Sequence, residues 1–176
     1  MDSLFHFVFP VIAALAARVH IKHPVRNILI AAFLAVAVDI DHFIGIPRVT
    51  TTNIFVLVII PLLFVFYAFS KKKSYNLKGL SILILIFLSS HLFLDIFTGG
   101  VGLFYPLTDA VYGIDFNIPI AWTNYAGLGY EGLLVSSLGV GITLYFLLII
   151  LPCYYLDHII LVMERKHKRF WKAVKR

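Results

Sequence analysis

Gly79-Leu80-Ser81-Ile82-Leu83-Ile84-Leu85-Ile86-Phe87-Leu88-Ser89-Ser90-His91-Leu92-Phe93-Leu94-Asp95-Ile96-Phe97 decides the fold class. The run is close to the roughly 20 apolar residues that a helix needs to cross a bilayer. Two ionisable residues interrupt it. A charged side chain deep in such a helix costs about 2.5–3.5 kcal/mol on insertion scales, and residues of this kind default to functional roles. His91 and Asp95 are four apart, so on a helix they share a face with Cβ atoms roughly 5–6 Å apart. That spacing suits a shared metal ion or a shared proton. It also suits a buried hydrogen bond that fixes helix packing.

The rest of the chain has the same character. Of its 176 residues 61% are hydrophobic and 14% charged, far from the make-up of an ordinary soluble domain. The apolar residues come in blocks of near-bilayer length, which predicts a polytopic, all-α membrane bundle forming one domain. One cysteine, Cys153, leaves no intrachain disulfide and no multi-Cys zinc site. A metal, if held, takes its ligands from His, Asp and Glu, which suits Zn²⁺ first and Mn²⁺ or Mg²⁺ after it.

Five helices are expected, at about 4–19, 27–46, 53–70, 79–97 and 132–151. Asp2 precedes the first, with Arg18, Lys22 and Arg26 behind it, the reverse of a signal peptide, so Ala14-Leu15-Ala16 is read as uncleaved helix. Gly45 and Pro47 stop the second, Lys71-Lys72-Lys73 follow the third, and Gly99-Gly100 end the fourth. A Gly- and Tyr-rich connection at 98–131 exceeds the usual loop length, which marks it as functional or partly structured. Pro152 separates the last span from a basic tail at 153–176, read as a helical extension with its basic end against lipid. With the N-terminus outside and the C-terminus in the cytoplasm, fourteen of the 15 Lys and Arg fall inside, and Arg48 alone is outside. This is the positive-inside pattern, and it assigns the net charge of +6 to the membrane rather than to nucleic acid.

That topology sorts the acids and histidines. Asp39, Asp41, His42, His91 and Asp95 all fall in the outer half of the membrane, and His6 begins the first helix at comparable depth. At 1.5 Å per residue, Asp39 and Asp95 lie within roughly 10 Å of their helix ends. Asp39 and His42 share a face, whereas Asp41 points about 200° away from Asp39 on a regular helix, so either the helix end unwinds near Gly45 or Asp41 stands behind a metal-bound His as an orienting carboxylate. His20, His23, His158 and His167 are on the inner side beside bases and read as interfacial.

At these residues the chain resembles the membrane-bound metal-dependent hydrolases that include the YdjM-like inner-membrane proteins of prokaryotes. Met1-Asp2 through His6-Phe7 is similar to that family's Asp-x-x-x-His beginning. Asp39-Ile40-Asp41-His42-Phe43 resembles its Pro-Asp-x-Asp-His motif, with Val38 in place of Pro. His91-Leu92-Phe93-Leu94-Asp95, with Thr98-Gly99-Gly100 and Tyr105-Pro106-Leu107, is similar to its His-x-x-x-Asp block and downstream Pro-Leu. The resemblance implies a multi-pass inner-membrane hydrolase with His6, Asp39, Asp41, His42, His91 and Asp95 as metal-site residues. It departs at Pro47 and Thr52, where many relatives carry histidines, while Arg48 and Asn53 are retained.

The reading expected from the sequence is a metal-dependent hydrolase at the outer membrane face. Asp41 or Asp39 would be its base, Arg48 and Asn53 would bind substrate, and a lipid or lipid-linked phosphoester is the favoured substrate. The alternatives are a non-catalytic membrane protein with a structural metal or polar His/Asp cluster, and a cation or proton transporter. Glycines at 127, 129, 132, 139 and 141 allow close packing, within one chain or between chains.

Overall fold

Apart from Asn27 and Ile28, small residues face inward and large apolar ones face outward on the first two helices, the inverse of a water-soluble core. The computed structural model describes residues 3–40, 47–70, 74–115, 117–123 and 129–174. Helix α1 (Ser3–Ala16) and helix α2 (Pro24–Ala37) bury Ala13, Ala14, Ala31, Ala32 and Ala35. They expose Ile12, Leu15, Leu29, Ile30, Phe33 and Leu34. Water would penalise so much exposed apolar surface. Lipid does not, and membrane helices pack through small side chains in this way. Phe7 meets Phe33 edge-on at 5.2 Å between centroids, and Phe9 meets Phe146 at 5.3 Å, which ties α1 to both neighbours.

Helix α1 contains Pro10 and continues through it. It ends before the expected residue 19 because a tight turn intervenes, with Arg18 and His23 at positive φ. Pro24 then opens α2, three residues before the expected start, at the helical position that proline favours. The helix tightens into a 3₁₀ turn, Val38–Ile40, which carries Asp39. The rest of the stretch expected to be helical to residue 46 lies outside the described residues.

A single turn, α3 (Arg48–Thr51), precedes the third apolar segment. This segment starts as a π-helical turn, Phe55–Ile59, and continues as α4 (Ile60–Ser70). Pro61 has no N–H for the helical ladder, and the wider turn lies next to it, with Ile60 donating to Phe55.

Helix α5 (Tyr75–Thr98) is the centre of the molecule, against α2, α4 and the two C-terminal helices. The Ser74 hydroxyl caps it by accepting from the Leu77 amide at 3.4 Å. This cap sets the start earlier than the apolar run suggests, because the first turn is polar. Gly100, at φ +80°, closes the other end, its N–H donating to Asp95 O at 3.0 Å. Leu83, Phe87 and Leu94 are fully buried along α5.

The connection after α5 is more ordered than a loop. Val101 and Tyr112 exchange backbone hydrogen bonds at 2.8 Å, and the Ile114 amide donates to Ile96 O at 2.8 Å, folding the chain back onto the helix end. Strands β1 (Asn117–Thr123) and β2 (Gly129–Ser136) follow as an antiparallel ribbon whose register shifts at Ile118/Pro119. Proline lacks the ladder donor, so a shift there is its usual accommodation. The helical class expected from the sequence holds with this one addition. The expected fifth helix at 132–151 is corrected to α6 (Ser137–Tyr154), since residues 132–136 pair in the ribbon. Pro152 lies inside α6, and the break falls at Tyr155 before α7 (Leu156–Val174).

Among the described residues α5 alone is long and apolar enough to cross a membrane by itself. Residues Leu138–Tyr154 and Leu156–His167 pass the same criterion together, bent by 63°. Helices α1, α2 and the Phe55–Ser70 segment are apolar but shorter.

Candidate metal centre

His91 and Asp95 lie one turn apart on α5, and the 3₁₀ turn at the end of α2 brings Asp39 to meet them. The His91 Nε2 atom is 3.4 Å from Asp39 Oδ1 and 3.4 Å from Asp95 Oδ2. All three residues are buried, at 1% exposure for His91, 4% for Asp39 and 0% for Asp95. The pair on α5 follows from helical spacing alone. The third member depends on how α2 packs across α5, which spacing does not encode.

Ser89 and Ser90 precede the pair and turn their hydroxyls onto their own helix. Ser89 donates to Leu85 O at 2.7 Å and Ser90 to Phe87 O at 2.9 Å. From α6, the buried Tyr145 brings its hydroxyl beside Ser90 and within the field of Asp95. Sequence reasoning missed Tyr145. Its signal was a lone phenol in the middle of an apolar run, a group that seeks a partner when buried.

One imidazole and two carboxylates are donor types that a divalent metal takes. Contacts of 3.4 Å exceed the usual 2.7–3.2 Å of a hydrogen bond. Two ligand atoms each about 2.1 Å from a tetrahedral ion stand about 3.4 Å apart, a separation that each of the two His91 contacts matches. Nitrogen from His with oxygen from Asp is a zinc-type set that manganese and magnesium also accept in part. Among the described residues no group of three or more His, Cys, Asp or Glu is placed so that it could hold a metal ion.

The other expected site residues divide as follows. His6 lies in α1, with its side chain outside what the structure describes. Asp41 and His42 are outside the described residues. Arg48 opens α3, and its side chain too is outside the description. Asn53 is buried and occupied by the backbone. Its Nδ2 donates to Val49 O and Thr50 O, both at 3.0 Å, and its Oδ1 accepts from the Val56 amide at 3.1 Å. The residue expected to bind substrate therefore holds α3 against the π-helical turn. Thr52 beside it is 1% exposed, and its hydroxyl has no hydrogen-bond partner among the described residues. His20, His23 and His158 are exposed and away from this cluster.

A cleft of about 450 Å³ opens one residue beyond Asp95, between the end of α5 at Ile96, Thr98 and Gly100 and the returning chain at Gly113 and Asp115. It is the approach to the end of the helix that carries the pair.

A family model described as YdjM inner membrane protein matches residues 1–164, which is most of the chain. No curated protein and no solved structure matches. The chain belongs to the YdjM inner membrane protein family, and its place is the prokaryotic inner membrane.

Proposed function

We propose that this protein is a membrane-embedded, metal-dependent hydrolase with its site near the outer face of the membrane. On this reading α1, α2, the Phe55–Ser70 segment, α5 and α6 are five spans, with the N-terminus outside and the C-terminus in the cytoplasm. Residues 1–152 then form the membrane domain and 153–176 a basic cytoplasmic tail. A helix of 14 residues such as α1 or α2 is about 21 Å long. The hydrocarbon core is roughly 30 Å thick, so these helices cross it only together with the residues that flank them.

The observation that carries the proposal is the position of His91 Nε2, 3.4 Å from carboxylate oxygens on two different helices. Asp39, His91 and Asp95 would hold the metal, joined by ligands from His6, Asp41 and His42. The metal, zinc by preference and manganese or magnesium otherwise, supplies Lewis acidity toward a phosphoryl or acyl oxygen and, for zinc, a bound water with a pKa of about 7. Asp41 accepts the proton of the attacking water, with Asp39 the other carboxylate suited to that task. Arg48 holds a phosphate through its forked guanidinium. A site at headgroup depth favours a lipid-linked or phosphoester substrate.

A second reading, a structural metal or polar cluster without catalysis, is favoured by one observation. Asn53 is engaged with the backbone, next to Pro47 and Thr52 where similar proteins carry histidines. Metal analysis of detergent-purified protein tests both readings. Stoichiometric metal, lost in His91→Ala/Asp95→Ala, supports the site, and a protein that stays metal-free under zinc, manganese and magnesium loading ends the hydrolase proposal. With metal bound, release of headgroup or phosphate from a lipid panel, abolished by Asp41→Asn, separates enzyme from structural site.

A further inference from the structure

The two acids of α7 both turn back onto the start of α5. Asp157 accepts from the Tyr75 hydroxyl, and Glu164 pairs with the Lys78 ammonium. Lys78 also stands over the Phe69 ring, 5.3 Å from its centroid. Between these contacts Leu156 and Ile160 are fully buried. The first half of α7 is thus fastened beneath α4, α5 and α6 by a polar contact at each end and an apolar one between. Beyond Glu164 the sequence carries no acid. Arg165, Lys166, Lys168, Arg169 and Lys172 follow in the helix, with Lys175 and Arg176 after them.

The bend of 63° at Tyr155 turns α7 away from the axis of α6. On the exposed side of the bend lie Tyr154, Tyr155 and Leu161, the aromatic and aliphatic residues that settle at a lipid–water boundary. Arg165 and Lys166, also exposed, come one turn later. With its acids engaged by the bundle, the arm carries apolar groups first and then a stretch of bases that no acid interrupts in the sequence.

We infer that α7 is a surface arm that binds anionic phospholipid headgroups, docked to the bundle by Asp157 and Glu164 and to the leaflet by the bases from Arg165 onward. The bilayer is favoured over nucleic acid because the arm leaves a membrane helix directly. The headgroups are therefore presented at the high effective concentration of a tethered partner. Exposed Leu161 and Tyr155 beside the bases match the depth profile of an interfacial helix. This inference goes beyond the metal-site proposal and does not depend on it.

Trp122→Phe leaves Trp171 as the one tryptophan reporter of the arm. The full chain with this change is placed in nanodiscs of phosphatidylcholine, with or without phosphatidylglycerol. Both faces of a disc carry the same lipid, so the outcome is independent of which face α7 occupies, and a wrong topology does not imitate a failure here. The expected result is an acrylamide quenching constant lowered about threefold by the anionic lipid. The protection is lost when salt rises from about 0.1 M to about 1 M, which shortens the screening length from about 10 Å to about 3 Å. It is lost as well in Lys166→Gln/Lys168→Gln/Arg169→Gln/Lys172→Gln, whose unchanged helix content and elution volume show that the fold is kept. Equal quenching in the two discs overturns the inference. Protection by added RNA in phosphatidylcholine discs, with none from phosphatidylglycerol, overturns it in favour of nucleic acid.

Discussion

Asp39 and Asp95 bring two carboxylates to one imidazole in a part of the molecule that water does not reach. Were both carboxylates ionised, the three groups would sum to a negative charge even with His91 protonated, and isolated buried charge is costly unless a counter-charge meets it. On the proposed reading a divalent cation would provide that counter-charge. Zinc in excess should therefore raise the unfolding midpoint of the purified protein, by the equivalent of about 2.7 kcal/mol at a hundredfold excess over its dissociation constant. A chelator should remove the gain. The double variant Asp39→Asn/Asp95→Asn should show the same midpoint in zinc and in chelator, because amides keep the shape and lose the charge. A wild-type midpoint indifferent to both conditions would mean that protons, not metal, hold the cluster together. Asn53 calls for the opposite outcome. Its three hydrogen bonds go to backbone atoms between Val49 and Val56, and orphaning such groups costs about 1–3 kcal/mol. Asn53→Ala should lower the unfolding midpoint in differential scanning fluorimetry with metal content unchanged. A loss of substrate affinity at constant stability would return Asn53 to a binding role.

Helices were legible in this sequence where a long apolar run had to find lipid or protein on every side, and α5 is the clear case. Their ends were less legible, because capping overrides composition. Ser74 starts α5 within a polar turn that hydropathy discards, and Pro152 sits inside α6 rather than after it. The ribbon was hidden for a related reason. Gly132–Ser136 continues the apolar block of α6 in sequence, yet its backbone pairs with β1. The His91–Asp95 half of the site was readable from a spacing of four, whereas the approach of Asp39 required the lateral packing of α2 on α5. Packing between α5 and α6 is tested at Gly141, where an added Cβ would stand 2.6 Å from Phe97 Cβ. Phe97 is two residues from Asp95, so a wedge there should disturb the cluster as well as the seam. Gly141→Leu should cost about 1–3 kcal/mol, the usual range for overpacking, and should lower metal occupancy. Gly141→Leu with normal stability and occupancy would show that this seam has slack.

At the scale of the whole molecule two asymmetries have to agree. One is radial, with alanines inside and Ile12, Leu15, Phe33, Leu63, Phe66 and Leu147 on the surface, a distribution that lipid tolerates and water does not. The other is axial. The bases precede α2, follow α4 and fill the tail, while Asp39 and Asp95 lie toward the opposite ends of their helices. The proposed five crossings would reconcile the two, since each crossing returns a basic connection to one side and an acidic one to the other. Loss of the α5 or the α6 crossing would leave the tail and the lysines after α4 on opposite faces. An alkaline phosphatase reporter, active only outside the cytoplasm, separates these cases. Fused after Arg176 it should be inactive, and inserted at Ala110, in the exposed chain between Val101 and Tyr112, it should be active. Activity at Arg176 would invert or shorten the bundle. It would also move the His91 cluster to the cytoplasmic half of the membrane, where a hydrolase would meet a different set of lipids. The topology experiment thus bears on substrate choice as directly as any assay of the site, because depth and side determine which headgroups can reach the cleft beside Asp95.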